Sequence, residues 1–600
     1  MRDERGKATE RPYNADVAIE EPGSHTHLRI VVRVVIALIV VWVLATGALV
    51  LIARQRVNTG LSALQAARDH LSAQALLTGQ ALPALESAER DFSSAHSAAS
   101  NPVLAPWAVV PLVNDNVDSV KALTAAAERV AQVGATAARH GAATLRQPAS
   151  TGAQRLALLD QISALAAHAQ QGLNNIKLGS DFFLVGPLGS ARTNFLNRLT
   201  KLRNTIGDAQ ALAQGASDLL RGPHTYLVLA ANNGEMRAGS GMFLAAGVAT
   251  FAGGSFTMGP MVPTPTINPA PGAVPLTGSL ATLWGWLAPN ADWRNLATSP
   301  RFDATAPLAA QMWQAVTGQH VDGVLAVDPV TLQALLAAQG PVQVGSQQLS
   351  AANVVSFLLL GQYAGIPADV ADQQDRLDQL SGVARATVDA LSSRPWQASA
   401  LISQLSGVGK GRHVLAWSAD PVEEQAWTAA GISGELHSDS LAVSVMNFGG
   451  NKLDQFLHVT STLSIQSGPN GVSDAHLVVD LHNEAPTGLP GYVAGPNPAS
   501  GAAEGVYQGI LSVNVPGAAS LPTLKGVSPL VAAGIDGPTK SVAGGYFQVA
   551  RGQTLQATID FELPAGAQHV EVQPSARIPP ITWHYGHEQF SDTSPERLAW

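Results

Sequence analysis

VVIALIVVWVLATGALVLIA, Val34–Ala53, is a run of twenty residues without one charged side chain. At about 1.5 Å of rise per residue a helix of that length reaches about 30 Å, the thickness of the hydrocarbon core of a bilayer. Arg29 and Arg33 precede the run, and Arg54 and Arg56 follow it. The near flanks are tied, so orientation rests on the wider count. Arg2, Arg5, Lys7 and Arg11 add to the preceding side, whereas only Arg68 follows closely. Basic residues stay on the cytoplasmic face, so the N-terminus is expected inside and the bulk of the chain outside. The competing reading is a cleaved signal peptide. Against it stand the length of the apolar region and the lack of a small-x-small cleavage site behind it.

Elsewhere the apolar stretches are broken by Gly, Pro or polar residues before they are long enough to cross. The chain has 600 residues, so the part beyond the anchor is long enough for about three domains with their own cores. It has no cysteine, which rules out disulfides and thiolate chemistry. A net charge of −9 argues against general nucleic-acid binding.

Residues 1–29 read as a disordered cytoplasmic tail and 30–53 as the transmembrane helix. Residues 54–221 read as a helical stalk or bundle. Val120, Leu123, Ala127 and Val130 recur at helical spacing, with Asp115 or Asn116 placed to cap. Phe195, Leu199, Leu202, Ile206 and Ala209 repeat that stripe. Pro102, Pro106 and Pro111, then Pro148, then Gly186–Gly189 mark the loops. Arg192, Arg198, Lys201 and Arg203 fall on its solvated face.

From His224 the pattern changes. TYLVLA (Thr225–Ala230), MFLAAGVATF and SFTM read as strands, and the proline-rich 259–278 as a loop over a cleft. A helix near Ala304–Thr317, the strand Val321–Val327 and a helix opened by Asp328-Pro329 come next, then helices to about residue 408. HVLAW and LAVSVM complete a central α/β domain, 222–448. Alternating strands and turns over 449–570 predict an antiparallel β-sandwich, and 571–600 a tail. The fold class expected is therefore multidomain α+β.

The common catalytic signatures G-x-S-x-G, H-E-x-x-H and a complete Walker loop are missing. Gly407-Val-Gly-Lys-Gly411 lacks the Ser/Thr of a phosphate loop and reads as an ordinary loop. His584, His587 and Glu588 have metal-ligand chemistry, but in a tail the expectation is no metal site. Two clusters remain as ligand-binding candidates. The first is Asn232, Asn233, Glu235 and Arg237 in a Gly-rich turn behind a buried strand, where α/β folds place ligands. Arg237 there either grips a phosphate or carboxylate or forms an ion pair with Glu235 that braces the turn. The second is Asp292, Arg294, Arg301 and Asp303, with Asp322 and Asp328 beyond. Asp328 is most simply a helix N-cap.

NNGEMRAGSGMF, WRNLATSPRFDATAPLAAQMW, VDGVLAVDPVTLQALLAAQGPVQV, LAWSADPVEEQAW and NFGGNKLDQFL succeed one another in a recognisable order. Together they resemble the domain of unknown function 4012 family, bacterial membrane proteins common in actinobacteria. The resemblance covers most of 34–565. Where that family reads R-x-T-G-G-F, this chain has Arg237 leading into Ala-Gly-Ser-Gly-Met-Phe. VDGVLAVDPVTLQALLAAQGPVQV also looks distantly like a segment of the LytR-CpsA-Psr enzymes. These transfer glycopolymers from a polyprenyl-pyrophosphate carrier to the cell wall, using arginines on the pyrophosphate and a carboxylate that positions Mg²⁺. That resemblance implies a cell-envelope protein binding an anionic glycan or lipid-linked glycopolymer, with Arg237, Arg294 and Arg301 on the anion and Asp292 or Asp303 as carboxylate. The arginine those enzymes carry after an early strand has no counterpart in GVATFAGGSFTMGP. The competing expectation is a non-enzymatic surface scaffold.

Overall fold

The computed structural model describes residues 24–66, 73–179, 184–363, 373–497 and 499–600. It is a mixed α+β chain, about 47% helix and 25% strand. The expected tail falls outside the described residues up to residue 23, and residues 24–29 are already helical. Chain contacts define two compact units. One holds the described residues up to Gln65 with Ser87–Arg129 and Lys177–Thr193, and the other holds the remainder.

The helices are α1 (Ser24–Ala66), α2 (Ala73–Thr78), α3 (Leu82–Ala99), α4 (Pro111–Leu145), α5 (Gly152–Asn174) and α6 (Gly186–Arg221). Within α1, Arg33–Ser62 is long and apolar enough to cross a membrane. In the first unit α1 packs through one face. Thr46, Ala53 and Gly60 are buried, Arg56 meets Asp91 of α3 at 3.1 Å, and the Phe92 ring closes on Gly60.

The prolines at 102, 106 and 111 do not make an open loop. Pro102–Val109 is a 3-10 helix, and Pro111 begins α4, where its missing N–H costs nothing. Asp115 and Asn116 therefore lie inside the first turns of α4 rather than capping it. The Asn116 side chain accepts the Val185 N–H instead. The expected stripe on α4 is only half-buried, and the covered positions are the small side chains Ser119, Thr124 and Ala126. Gly186–Gly189 forms the first turn of α6 and not a loop. Arg192 is less free than expected, because its guanidinium holds the carbonyls of Leu178 and Gly179 at 2.7 and 2.9 Å.

In the second unit Leu199 and Ile206 are buried with Ala169 and Leu173, so the stripe on α6 packs as its spacing predicts. Arg203, expected on the solvated face, donates to the Leu173 carbonyl at 2.6 Å. Thr151 and Gln154 close a capping box at the start of α5.

The strands β1 (His224–Met236), β2 (Gly241–Ala252), β3 (Ser255–Met258), β4 (Val262–Pro263), β5 (Gly323–Val327), β6 (Val342–Val344), β7 (Gln347–Leu349) and β8 (Val414–Ser418) come after the helices. One sheet has the order β3-β2-β1-β5-β8, with β4 also on β2. Only the β1–β5 pair is parallel in it. The helix Phe302–Thr317 lies on one face, and Asp328 caps the helix Pro329–Gln339 as expected. The proline-rich segment is not a free flap. Thr264 Oγ donates to the Phe243 carbonyl at 2.8 Å, and Val274 is buried in the core. Gly407–Gly411 is the last turn and C-cap of the helix Ala398–Lys410, so a phosphate loop is excluded.

Beyond these lie β9 (Ser440–Asn447), β10 (Leu457–Ser467), β11 (Ser473–Asn483), β12 (Tyr507–Pro516), β13 (Thr523–Lys525), β14 (Leu530–Asp536), β15 (Thr539–Gly544), β16 (Phe547–Val549), β17 (Thr554–Leu563), β18 (His569–Val572), β19 (Thr582–Tyr585), β20 (Glu588–Ser591) and β21 (Glu596–Ala599). They form one sheet of order β13-β17-β11-β10-β19-β20 and another of order β14-β15-β12-β9-β18-β21, with β16 on β12. Residues of both sheets share one apolar core.

Three expectations fail here. LAVSVM belongs to β9 and pairs with β12 and β18, not with the first sheet. Residues 571–600 are no tail, since they carry three strands and a fully buried Trp583. The sheets are not wholly antiparallel, because β10–β19 and β18–β9 run parallel. The division near residue 448 is also blurred physically. Met446, Ile510 and Ala543 from the second pair of sheets pack in the same core as Leu227, Phe243 and Trp293.

Candidate functional site: a buried polar seam

The C-terminal half of β1 leaves its parallel partner at Ala230 and enters an irregular hairpin with β2. Polar side chains that a buried strand would exclude therefore gather there, and each must find a partner inside the protein. Asn232 receives the Gly234 N–H at 3.0 Å and donates to Glu235. Glu235 pairs with Lys452, whose side chain is 3% exposed. The ammonium sits 5.2 and 5.1 Å from the ring centroids of Tyr363 and Tyr492. Burial pulls Lys452 toward the neutral form, but Glu235 and the two tyrosines outweigh it and hold its pKa above the ordinary lysine value.

Arg237 is buried as well, and its donors are turned inward. Nε donates to the Arg294 carbonyl at 2.9 Å, and Nη1 to the carbonyls of Met236 and Asn447. Its guanidinium carbon lies 4.3 Å from the Phe448 ring centroid. Burial lowers its pKa to about 10 against the pull of Glu235 and Asp454. A guanidinium spread over three carbonyls and an aromatic face has no fork left for a bidentate anion. The expected Glu235–Arg237 brace is therefore replaced by two separate arrangements, Glu235 on Lys452 and Arg237 on carbonyls.

The seam continues to Asp454, which is fully buried. Its carboxylate accepts from Arg577 at 2.7 Å, Tyr507 at 3.0 Å, Asn447 at 2.9 Å and the Met236 N–H at 3.1 Å. Asn233 Nδ2 donates to Asp328 and to the Ala576 carbonyl, both at 2.8 Å. Asp328 in turn lies 2.6 Å from His413 Nδ1 while capping its helix. The second cluster is divided. Asp292 and Arg294 pair at 2.7 Å, with Arg294 still 47% exposed. Arg301 and Asp303 pair at 2.6 Å, and Arg301 also faces Asp536 at 3.6 Å. Asp322 accepts the Thr225 N–H at 2.7 Å and braces the start of β1.

Thus Asn233, Glu235 and Arg237 meet in the seam, and Arg294 reaches it through its backbone. Arg301 and Asp303 belong to the Asp536 cluster. Lys452, Asp454, His413, Tyr507 and Arg577 are seam residues that sequence reasoning missed. The motif Asn447–Phe456 contained a signal for two of them, a lysine and an aspartate two residues apart in an otherwise apolar and Gly/Asn-rich stretch. Arg577 carried none once its segment was read as a tail. Among the described residues no group of three His, Asp or Glu side chains is placed to hold a metal ion.

One seam neighbour makes stability pH-dependent. Asp592 is 3% exposed and accepts the Ser575 and Ile581 N–H groups at 2.8 and 2.7 Å. Burial still pushes its pKa up to about 6, from an ordinary 3.8. A raised carboxyl contributes stability that is complete below its unfolded pKa and lost as pH rises through the folded one. Two units amount to about 3 kcal/mol. Stability should fall between about pH 4 and pH 7, and Asp592→Asn should remove that fall. Urea midpoints at several pH values test this, and equal slopes in both proteins would sink it. His413 titrates in a different window. Burial lowers its pKa, but Asp328 outweighs that and raises it above 6.5, so its contribution is lost only as pH rises further.

Residues 221–363 match the family described as protein of unknown function (DUF4012). No curated protein and no solved structure matches the chain.

Proposed function

We propose that this member of the DUF4012 family is a membrane-anchored cell-envelope scaffold, with its N-terminus cytoplasmic and its folded bulk outside. The observation that carries the reading is the internal pairing of the seam's buried cations. Arg237, Lys452 and Arg577 are spent on carbonyls, tyrosines and carboxylates of the protein itself. Arg237 and Lys452 tie the first sheet to residues beyond 440, and Arg577 holds Asp454, which accepts the Met236 N–H of β1. That arrangement supports rigidity better than anion turnover. The transferase-like reading, in which a polyprenyl-pyrophosphate-linked glycopolymer binds with Mg²⁺, retains one favourable observation, the exposed guanidinium of Arg294.

One titration separates the two. Full-length protein in nanodiscs is offered a polyprenyl-pyrophosphate lipid with and without Mg²⁺. The scaffold predicts no saturable binding and no shift in thermal midpoint. Saturable binding that weakens about tenfold or more in Arg294→Ala, the loss of one charge-assisted contact, would overturn it. Arg294 is exposed, so its removal leaves the fold intact. Arg237→Ala supplies a contrasting result. It should cost several kcal/mol, because two buried carbonyls and a half-buried one lose a donor, and it should change no ligand affinity.

A further inference from the structure

We propose that the turn formed by the 3-10 helix after α3 and the first residues of α4, Pro102–Val113, is a second membrane-inserted element that dips into the bilayer beside α1. The inference rests on the reading of α1 as a membrane anchor.

The turn meets the anchor deep within its apolar run. The indole N–H of Trp42 donates to the Val103 carbonyl at 2.8 Å, and its ring stacks on Trp107 with centroids 5.0 Å apart. Eleven residue steps of unbroken helix take Trp42 to Ala53, about 17 Å at the α-helical rise. Below it only Val34–Val41 remain before Arg33, about 12 Å of helix, where a hydrocarbon core needs about 30 Å. A span therefore has to include the level of Trp42, and whatever touches Trp42 is carried to that depth.

The composition of the turn suits that position. Between Asp91 and Asp115 there is no Asp, Glu, Lys or Arg, and Pro102–Val113 reads PVLAPWAVVPLV. Val103, Val109 and Val110 are 37%, 84% and 40% exposed. Irregular backbone is tolerated in hydrocarbon only when its polar groups are satisfied. Three of the twelve residues are prolines without an N–H. Val103 N–H is taken by the Asn101 side chain, Leu104 N–H by the Asn101 carbonyl, and Val110 N–H by the Trp107 carbonyl. The Trp42–Val103 bond likewise removes a polar N–H from the lipid. Asp115 and Asp118 in α4 then bound the insertion.

The chain has no cysteine, so single-cysteine variants report without background. Full-length protein carrying Leu44→Cys, Val109→Cys or Asn58→Cys is placed in nanodiscs, which expose both faces, and treated with a membrane-impermeant maleimide. Leu44 faces outward from α1 within the apolar run, and Asn58 is exposed above it. We expect Val109→Cys to react about tenfold or more slowly than Asn58→Cys, as Leu44→Cys does, because hydrocarbon shields both. A probe on Val109→Cys should also be quenched by doxyl-labelled lipid. Rapid labelling and no quenching at Val109, with Leu44 shielded, would overturn the insertion and leave the anchor standing. Rapid labelling at Leu44 would overturn the anchor reading, and the insertion with it.

Discussion

Arg577→Met should destabilise the protein by about 3–5 kcal/mol, the usual cost of stranding a buried charge. Arg577 and Asp454 are 1% and 0% exposed and meet at 2.7 Å. The second guanidinium nitrogen donates to the carbonyls of Asp454 and Leu457, each at 3.1 Å. Burial favours a neutral Arg577, but Asp454 more than compensates and raises its pKa above the ordinary arginine value. Removing the guanidinium leaves the carboxylate with only the neutral donors Tyr507, Asn447 and Met236 N–H. Adding Asp454→Asn to Arg577→Met should recover part of the loss, since the remaining group is then uncharged. Chemical denaturation measures both. A cost below about 1 kcal/mol for Arg577→Met would mean the pair contributes nothing beyond its desolvation.

Gly241→Ala should be nearly as damaging for a steric reason. A Cβ there would lie 2.3, 2.4 and 2.6 Å from the Asn232 backbone carbon, oxygen and nitrogen. No flexible side chain can yield, so β1 and β2 must separate where the seam begins. Overpacking of this kind costs about 1–3 kcal/mol, and the upper end is expected where backbone is the obstacle. Gly186→Ala is the control, because nothing lies within 4 Å of its Cβ and it sits in the first turn of α6. That change should be neutral or slightly stabilising. Equal thermal midpoints for the two variants would refute the steric account.

Much of this chain is readable locally. The apolar run of α1, the strand TYLVLA and the Asp328-Pro329 helix start depend on composition and on neighbours within a turn or two. Each is found where its pattern predicts. Segments whose partners are distant in sequence misled. LAVSVM has the same buried-strand signature whichever sheet receives it. Only pairing with β12 and β18 assigned it. The final thirty residues alternate weakly and carry prolines, yet Trp583 is fully buried and β19 pairs in parallel with β10, a strand over 100 residues earlier.

The candidate site divides the same way. Sequence by itself determined that one helix could anchor the chain, that thiol chemistry is absent, and that Asn232–Arg237 is an unusual polar turn behind a buried strand. Those features rest on side-chain chemistry and spacing, which need no fold. Tertiary structure alone decided that Arg237 faces three carbonyls rather than a ligand and that Glu235 belongs to Lys452. It also carried a proline-rich turn down to the level of Trp42. The physical reason is common to all three: a buried polar or exposed apolar group takes its meaning from what lies opposite, and here, the adjoining Met236 carbonyl apart, the opposite group lies from 57 to 217 residues away.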